Sequence, residues 1–282
     1  MSTIAFSAAP TAFTEHELTS AQFSRVAALL YEHCGIAMRP GKEGLVRARL
    51  AKRMRKLSIP DFAMYLDLVG ESPTHPEFGE MVDALTTNKT SFLREHAHFD
   101  YLRDAVLPTL DHPVRIWSAG CSSGEEPYTL AMLLLDHSVN GTACSARVLA
   151  TDISQRVLSA AQAGVYPAEI MNDVPLEWRR RYWTRLDRNE EAGAMSATPL
   201  LRNVVKFAPL NLMEHWPMRG PFDAIFCRNV MIYFDKQTQQ RLVERFWELL
   251  RPGGHLFVGH SESLTGTTHR FRYVQPAVYV KG

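Results

Sequence analysis

The chain has 282 residues, of which 46% are hydrophobic and 22% charged, a balance typical of a globular protein with room for two domains. Its formal net charge of +1 gives no overall basic field of the kind that nucleic-acid-binding proteins use. No apolar run reaches the ~20 residues of a transmembrane helix, and no secretion signal opens the chain, so we expect a cytoplasmic protein without membrane insertion. The cysteines have no paired spacing and are expected to be free thiols: Cys34, Cys121, Cys144 and Cys227.

The N-terminal part of the chain is predicted to be helical. Residues 1–17, rich in Ala, Ser and Thr, are expected to form a flexible tail. Residues 18–88 are predicted to form an all-helical domain, with helices at about 18–33, 43–57, 60–70 and 76–86 that glycine and proline separate. A linker at 89–111 and an α/β domain at 112–282 are expected to follow.

The second predicted helix has a basic face. Seven lysines and arginines lie between Lys42 and Lys56, with Glu43 as the one acid among them. On a helical wheel an apolar stripe runs beside a basic stripe, the first formed by Val46, Leu50, Met54 and Leu57 and the second by Arg49, Lys52, Arg53 and Lys56. Such a helix binds RNA, anionic lipid or an acidic protein helix, or simply faces solvent. Base-stacking aromatic residues are absent from the stripe, which disfavours RNA.

A strand, a glycine-rich turn and a helix are predicted between residues 114 and 135. Gly120 and Gly124 allow a tight turn and the close approach of a ligand. The spacing is that of neither a dinucleotide fingerprint nor a phosphate loop, and Glu125 and Glu126 would repel a phosphate at the helix N-terminus. The turn therefore favours a cationic or uncharged nucleoside such as S-adenosylmethionine (SAM), the alternative being a helix start capped by acids.

The next predicted strand, residues 147–154, contains Asp152 near its tip. A carboxylate there is placed to accept hydrogen bonds from ribose hydroxyls. Asp152 or Ser154 is also a suitable N-cap for the following helix, and the two roles are compatible.

Two later segments complete the predicted sheet. Residues 222–234, FDAIFCRNVMIYF, begin as a buried strand and end in polar groups, Arg228, Asn229 and Tyr233. Ligands of open α/β sheets bind beyond the carboxyl ends of such strands, so these side chains are candidates for a site. The apolar runs at 255–259 and 271–280 predict the closing strands.

Five segments in this order resemble the CheR family of chemotaxis receptor glutamate methyltransferases. They are LTTNKTSFLRE, SAGCSSGEEPYTLA, LATDIS, FDAIFCRNVMIYF and FVGHSES, and the similarity extends from about Leu18 to the C-terminus. The resemblance implies an α/β fold: a Rossmann-like, doubly wound methyltransferase sheet with an N-terminal helical domain and a small β-subdomain. The interrupted strand–helix pattern at about 165–207 is where that insertion is expected. In some members it tethers a receptor C-terminal peptide, and a solvated loop is the alternative here.

The resemblance also implies an activity, namely SAM-dependent O-methylation of receptor glutamates, with S-adenosylhomocysteine as product and transient recruitment to receptor arrays. It assigns cofactor contacts to Asn88, Thr90, Arg94, Glu126, Asp152, Asn211, Leu212, Arg228 and Asn229. The choice between Glu125 and Glu126 stays open. Arg94 and Tyr233 are the candidate catalytic residues. The cytoplasmic domain of the receptor is expected to bind the basic helix through Arg49, Lys52, Arg53 and Arg55.

The chemistry of this substrate is simple. A glutamate carboxylate is ionised at neutral pH, because its reference pKa is ~4.3, so no general base and no metal is required. The enzyme has to position the reactants and partly desolvate the nucleophile. This predicts a site without a catalytic His or Cys, in which His260, Ser261 and Glu262 are structural. A methyltransferase acting on RNA or a small molecule, and a non-catalytic cofactor-sensing protein, are the alternatives.

Overall fold

The computed structural model describes residues 17–139, 146–187 and 193–282. The predicted tail before Glu17 and the predicted free thiol of Cys144 lie outside the described residues. None of the helices formed by the described residues has the length and apolar character that crossing a membrane requires.

The N-terminal helical domain contains four helices, α1 (Ser20–Cys34), α2 (Glu43–Leu57), α3 (Phe62–Gly70) and α4 (Pro76–Leu85). Their bounds lie within two residues of the predicted ones because local signals set them. Thr19 and Gln22 form a capping box at the start of α1, and Gly35 ends it in the left-handed region with a φ of 69°. The core of the domain includes Val46, Leu50 and Met54 from α2. Leu57, at 39% exposure, is outside it, so the predicted apolar stripe is one residue shorter.

The segment predicted as a linker is folded onto the α/β domain. It forms α5 (Ala97–Tyr101), a π-helical turn (Leu102–Val106) and a 3₁₀ turn (Leu107–Thr109). Phe99 and Leu102 are buried against the sheet, and the Phe99 ring stacks on Phe226 at 5.9 Å. The buried side chains of residues 97–109 therefore contribute to the core of the α/β domain, which differs from the predicted linker.

The large sheet of the described residues has seven strands: β1 (Arg115–Ala119), β2 (Arg147–Asp152), β6 (Val205–Pro209), β7 (Phe222–Cys227), β8 (Leu250–Val258), β9 (Arg272–Gln275) and β10 (Val278–Val280). Their order is β6-β2-β1-β7-β8-β10-β9. The first five run parallel, whereas β10 is antiparallel to both of its neighbours. Every residue of β7 is buried. The strand order reverses between β1 and β7, so a crevice is expected at their carboxyl ends.

Helices cover this sheet: α6 (Glu125–Val139), α7 (Gln155–Ala163), the short α9 (Pro199–Arg202) and α10 (Lys236–Leu249). Helix α8 (Leu176–Tyr182) lies in the inserted segment. Helix α6 follows the glycine turn, and α10 begins at the N-cap Asp235 after β7. This is a doubly wound α/β sheet preceded by an all-helical domain, which confirms the predicted architecture.

A small antiparallel sheet interrupts the α/β pattern. It contains β3 (Val165–Tyr166), β4 (Trp183–Arg185) and β5 (Met195–Ala197) in the order β3-β5-β4. Tyr166 and Trp183 pack edge-on against Phe92, which joins this subdomain to the main core. The C-terminal end of the predicted insertion differs, because the helical turn α9 leads into β6, and β6 pairs with β2 in the large sheet.

Candidate active site

A cavity lies at the carboxyl ends of β1, β2 and β7, where the helical domain meets the large sheet. Its wall includes every predicted cofactor residue, together with Tyr233: Asn88, Thr90, Arg94, Glu126, Asp152, Asn211, Leu212, Arg228 and Asn229. The helical domain adds Cys34 and Ile36, which no sequence signal marked as site residues. The motifs are thus brought to one place from segments that are far apart in the chain.

Backbone and side-chain contacts fix the helical domain over the end of β7. Ile36 forms an isolated antiparallel bridge with Phe234, and the Ala37 N–H donates to the Tyr233 carbonyl at 2.8 Å. The Asn211 amide donates to the His33 carbonyl at 2.6 Å, and its oxygen accepts from the Met213 N–H at 3.0 Å. Asn211 therefore connects the two domains, and its side-chain polar atoms are engaged within the protein although the residue lines the cavity.

The glycine turn needs its glycines for two reasons. Gly120 and Gly124 have φ values of 84° and 99°, in the region that favours glycine. A Cβ atom at Gly120 would overlap the Val230 side chain, so the backbone approaches the segment after β7 closely. The turn and the end of β7 together form one wall of the cavity.

Asp152 ties the glycine turn to the end of β2. Its carboxylate accepts from the Ser122 N–H at 2.8 Å and from the Ser154 N–H at 2.9 Å. Burial raises the pKa of Asp152, while these backbone donors counteract the shift. The N-cap of α7 is Ser154, whose hydroxyl accepts from the Val157 N–H at 3.2 Å. The carboxylate also lines the cavity, which keeps the ribose role available.

Asn88 presents a donor without a partner among the described residues. Its Nδ2 atom is buried, while its carbonyl accepts from the Ser122 hydroxyl at 2.9 Å. An unsatisfied buried donor costs about 1–3 kcal/mol, so a ligand acceptor at this position would stabilise the site. With the Asp152 acceptor and the apolar Ile153 and Leu212, this donor fits a nucleoside-containing cofactor such as SAM.

Arg228 is a buried cation between two carboxylates. Its guanidinium donates to Glu126 at 2.9 Å and to Glu95 at 3.1 Å, and also to the Arg94 carbonyl. The Arg228 side chain is only 2% exposed and lies over the Phe99 ring. These contacts make it a clamp that joins segments of the cavity wall, in addition to its position on that wall.

Of the two adjacent acids, Glu126 is the better candidate for a cofactor contact. Its carboxylate accepts from the Ser118 hydroxyl at 2.7 Å and from Arg228, and it lines the cavity. Glu125 accepts from the Ser123 hydroxyl at 2.8 Å and is absent from the cavity wall, and burial raises its pKa.

Glu262 shapes the turn that presents Asn229. It accepts from the backbone N–H groups of Asn229 at 2.7 Å, Ile232 at 3.0 Å and Gly259 at 2.5 Å. Asn229 has a φ of 59°, so this strained turn depends on such anchors. Burial raises the pKa of Glu262. These contacts agree with the interpretation of Glu262 as a structural residue.

The two predicted catalytic side chains are anchored to one segment. Arg94 donates to the Lys89 carbonyl at 2.8 Å, and the Tyr233 hydroxyl donates to the Thr87 carbonyl at 3.3 Å. Among the described residues no histidine lines the cavity. Burial raises the pKa of the Cys34 thiol to about 12 and that of Cys121 well above its usual value, so neither is a thiolate at neutral pH.

The basic face of α2 divides into two kinds of residue. Arg53 is paired with Glu77 and with Glu80, each at 2.6 Å, and is 14% exposed, so it has a structural role that the helical wheel did not predict. Arg49 donates to the carbonyls of Leu85 at 2.9 Å and Thr86 at 3.1 Å. The remaining cations are exposed, namely Arg47, Lys52, Arg55 and Lys56.

One group of possible metal ligands occurs among the described residues, formed by Glu95, His98 and His260. Both carboxylate oxygens of Glu95 already accept hydrogen bonds from the protein, one of them from Arg228. The Arg228 guanidinium lies 3.1 Å from a Glu95 carboxylate oxygen and would repel a metal cation, so these three residues do not resemble a built metal site.

Two family models match almost the whole chain. The CheR methyltransferase all-alpha domain matches residues 21–86, and the CheR methyltransferase SAM binding domain matches residues 88–280. The chain is 41% identical to chemotaxis protein methyltransferase 2 of Pseudomonas aeruginosa, over 94% of each chain. It is 41% identical to the chemotaxis protein methyltransferase of Escherichia coli over 93% of this chain and 91% of that one. For the chemotaxis protein methyltransferase of Borreliella burgdorferi the identity is 36%, over 94% and 95%. The chain therefore belongs to the CheR methyltransferase family.

Proposed function

We propose that this methyltransferase transfers the methyl group of SAM to glutamate side-chain carboxylates of chemotaxis receptors and forms glutamyl methyl esters. One observation carries the proposal. The cavity combines the predicted cofactor residues with Arg94 and Tyr233, and Arg49 anchors the basic helix α2 to Thr86, on the rim of the same cavity. A cofactor site and a surface suited to an acidic protein helix are thus adjacent.

The cofactor is held by groups of complementary character. Asp152 would accept from the ribose hydroxyls, and the Asn88 amide, whose Nδ2 atom has no partner among the described residues, would donate to an acceptor of the cofactor. The Glu126 carboxylate favours the cationic end of SAM, and Leu212 and Ile153 offer apolar surface to the adenine ring. When bound, SAM supplies an electrophilic methyl group on its sulfonium sulfur.

The protein's own contribution to the reaction is positioning. The substrate glutamate arrives ionised, so no side chain has to remove a proton. The described residues that line the cavity include no histidine and no thiolate, which suits this chemistry. Arg94 orients the carboxylate. Its role is geometric, because a tight ion pair would weaken the nucleophile. Tyr233 walls the path of the incoming side chain, and the enclosure of the cavity by two domains keeps water from the reacting atoms.

Recognition of the receptor rests on charge. The exposed cations of α2 face solvent, where they attract the acidic, glutamate-rich helices of a receptor and accelerate encounter. We place the encounter at receptor arrays, to which a cytoplasmic enzyme is recruited transiently. Attraction of this kind weakens as salt screens it over about 10 Å at 0.1 M ionic strength.

Mass spectrometry of a receptor cytoplasmic domain tests the proposal. Incubation with enzyme and SAM is expected to add the mass of one methylene to individual glutamates. The Arg94→Ala enzyme is expected to methylate few of them. Methylation confined to other residue types, or to RNA or a small molecule supplied in the same reaction, would contradict the proposed substrate.

A further inference from the structure

The turn that carries Arg94 into the cavity has an unusual backbone. Leu93 and Glu95, the residues on either side of Arg94, have φ values of 54° and 56°. Residues other than glycine rarely adopt this left-handed conformation and keep it only where surrounding contacts enforce it. On one side the Leu93 N–H donates to the hydroxyl of the buried Thr129 at 3.3 Å. On the other side the contacts of Glu95 have to hold the turn.

The Glu95 carboxylate joins this turn to the ends of two strands. One oxygen accepts from the Arg228 guanidinium at 3.1 Å and from the His260 N–H at 3.2 Å. The other oxygen accepts from the Asn229 side-chain amide at 3.4 Å. Arg228 and Asn229 follow β7, and His260 follows β8. Glu95 therefore connects three segments of the site without lining the cavity itself.

The charge of Glu95 is needed where it lies. The Arg228 side chain is almost fully buried, and its counter-charges are Glu95 and Glu126. Burial by itself would raise the pKa of Glu95, but Arg228 keeps it below its usual value, so the group is ionised. The neighbouring His98 is neutral, since burial lowers its pKa to about 4. With glutamine in place of Glu95, Arg228 would keep one carboxylate partner, and the single amide oxygen could not accept from Arg228, His260 and Asn229 together.

We propose that Glu95 is a positioning residue of the cofactor site, which acts through Arg94 and Asn229 by fixing the turns that bear them. The inference rests on the cofactor half of the proposed function. The inference goes beyond that function, because Glu95 does not line the cavity and instead sets the geometry of residues that do.

Binding of S-adenosylhomocysteine to the purified 282-residue chain, measured by calorimetry, tests this role without a receptor. Glu95→Gln is expected to bind at least about tenfold more weakly, equivalent to about 1.4 kcal/mol. Glu125→Gln is the matched control, since it alters a buried carboxylate of the same region that contacts Ser123 and lies outside the cavity wall. The control is expected to retain wild-type affinity. Wild-type affinity in Glu95→Gln would overturn the proposal.

A double-mutant cycle separates positioning from a general structural role. In an Asn229→Ala background the Glu95→Gln change is expected to cost clearly less affinity than in the wild type, because the two residues act together. The same loss in both backgrounds would overturn the proposal.

A shorter carboxylate provides a second test if Glu95→Gln fails to fold. Glu95→Asp keeps the charge beside Arg228 but cannot reach Arg228, Asn229 and His260 together, so about fivefold weaker binding is expected, and wild-type affinity would overturn the proposal.

If the wild type binds S-adenosylhomocysteine but methylates no receptor, the proposed function fails while this inference stands. If the wild type does not bind it, both fail.

Discussion

Arg53 and Lys52 are neighbours on the basic helix α2, but Arg53 pairs with two acids whereas Lys52 is exposed. Comparing the two alanine variants tests most sharply whether Arg53 stabilises the fold. Arg53 forms a two-point contact with Glu77, at 3.0 and 2.6 Å, and also pairs with Glu80. The Glu77 side chain is 6% exposed and also accepts from the Tyr65 hydroxyl at 2.8 Å. Replacing Arg53 by alanine therefore leaves a buried carboxylate with one neutral donor.

The cost of this change follows from burial. Removing one partner of a buried ion pair typically costs about 3–5 kcal/mol, and the remaining Tyr65 donor places Arg53→Ala near the lower end, at about 3 kcal/mol. For a protein of this size about 3 kcal/mol lowers the melting temperature by roughly 6–12 °C. Urea unfolding followed by circular dichroism, together with a thermal scan, measures both quantities.

Lys52→Ala is the matched control, since it removes a cation from an exposed position one residue away on the same helix. Its stability is expected to lie within about 0.5 kcal/mol of the wild type. If Arg53→Ala unfolds at the same denaturant concentration as Lys52→Ala, the buried pair contributes nothing and the division of the basic face is wrong.

Three further predictions follow from the site and its surroundings. Lys52→Glu combined with Arg55→Glu is expected to raise KM for a receptor domain several-fold at low salt, with unchanged S-adenosylhomocysteine affinity; an unchanged KM would reduce the basic face to a solvated surface. Asp152→Ala is expected to weaken cofactor binding at least about tenfold by calorimetry, because it removes the proposed ribose acceptor and the anchor of the glycine turn, and retained affinity would exclude the ribose role. His112 donates to the buried Asp223 at 2.8 Å, which raises the pKa of His112, so the charged form stabilises the folded state. That contribution to stability is present below the ordinary His pKa of ~6.5 and is lost as pH rises through the raised pKa of His112. The His112→Asn change is therefore expected to lower the free energy of unfolding in urea more at about pH 5.5 than at about pH 8.5. Equal losses at both pH values would contradict this.

Local signals in the sequence were sufficient for the four N-terminal helices and for most strands of the large sheet. The capping box at Thr19 and the proline at the first position of α4 mark where α1 and α4 begin, and the buried run of β7 is visible as a continuous apolar segment. The residues that the motifs nominate also line one cavity, since the carboxyl ends of parallel strands meet at one edge of a sheet.

Partners that lie far apart in the chain could not be read from these patterns. Arg53 and Lys52 look alike on a helical wheel, and only the fold places Glu77, 24 residues away, beside one of them. Asn211 contacts the carbonyl of His33, 178 residues away, and nothing near either residue indicates it. The packing of residues 97–109 on the sheet was missed for the same reason, because its buried side chains face strands later in the chain.

Transfer of a radiolabelled methyl group from SAM to a purified receptor cytoplasmic domain, followed by mild alkali, tests the central claim most directly. We expect the label to appear on the receptor and to leave as volatile methanol, because carboxyl methyl esters hydrolyse in alkali. Label that is retained after alkali, or a receptor that acquires none while the enzyme binds SAM, would contradict glutamate methylation as the function.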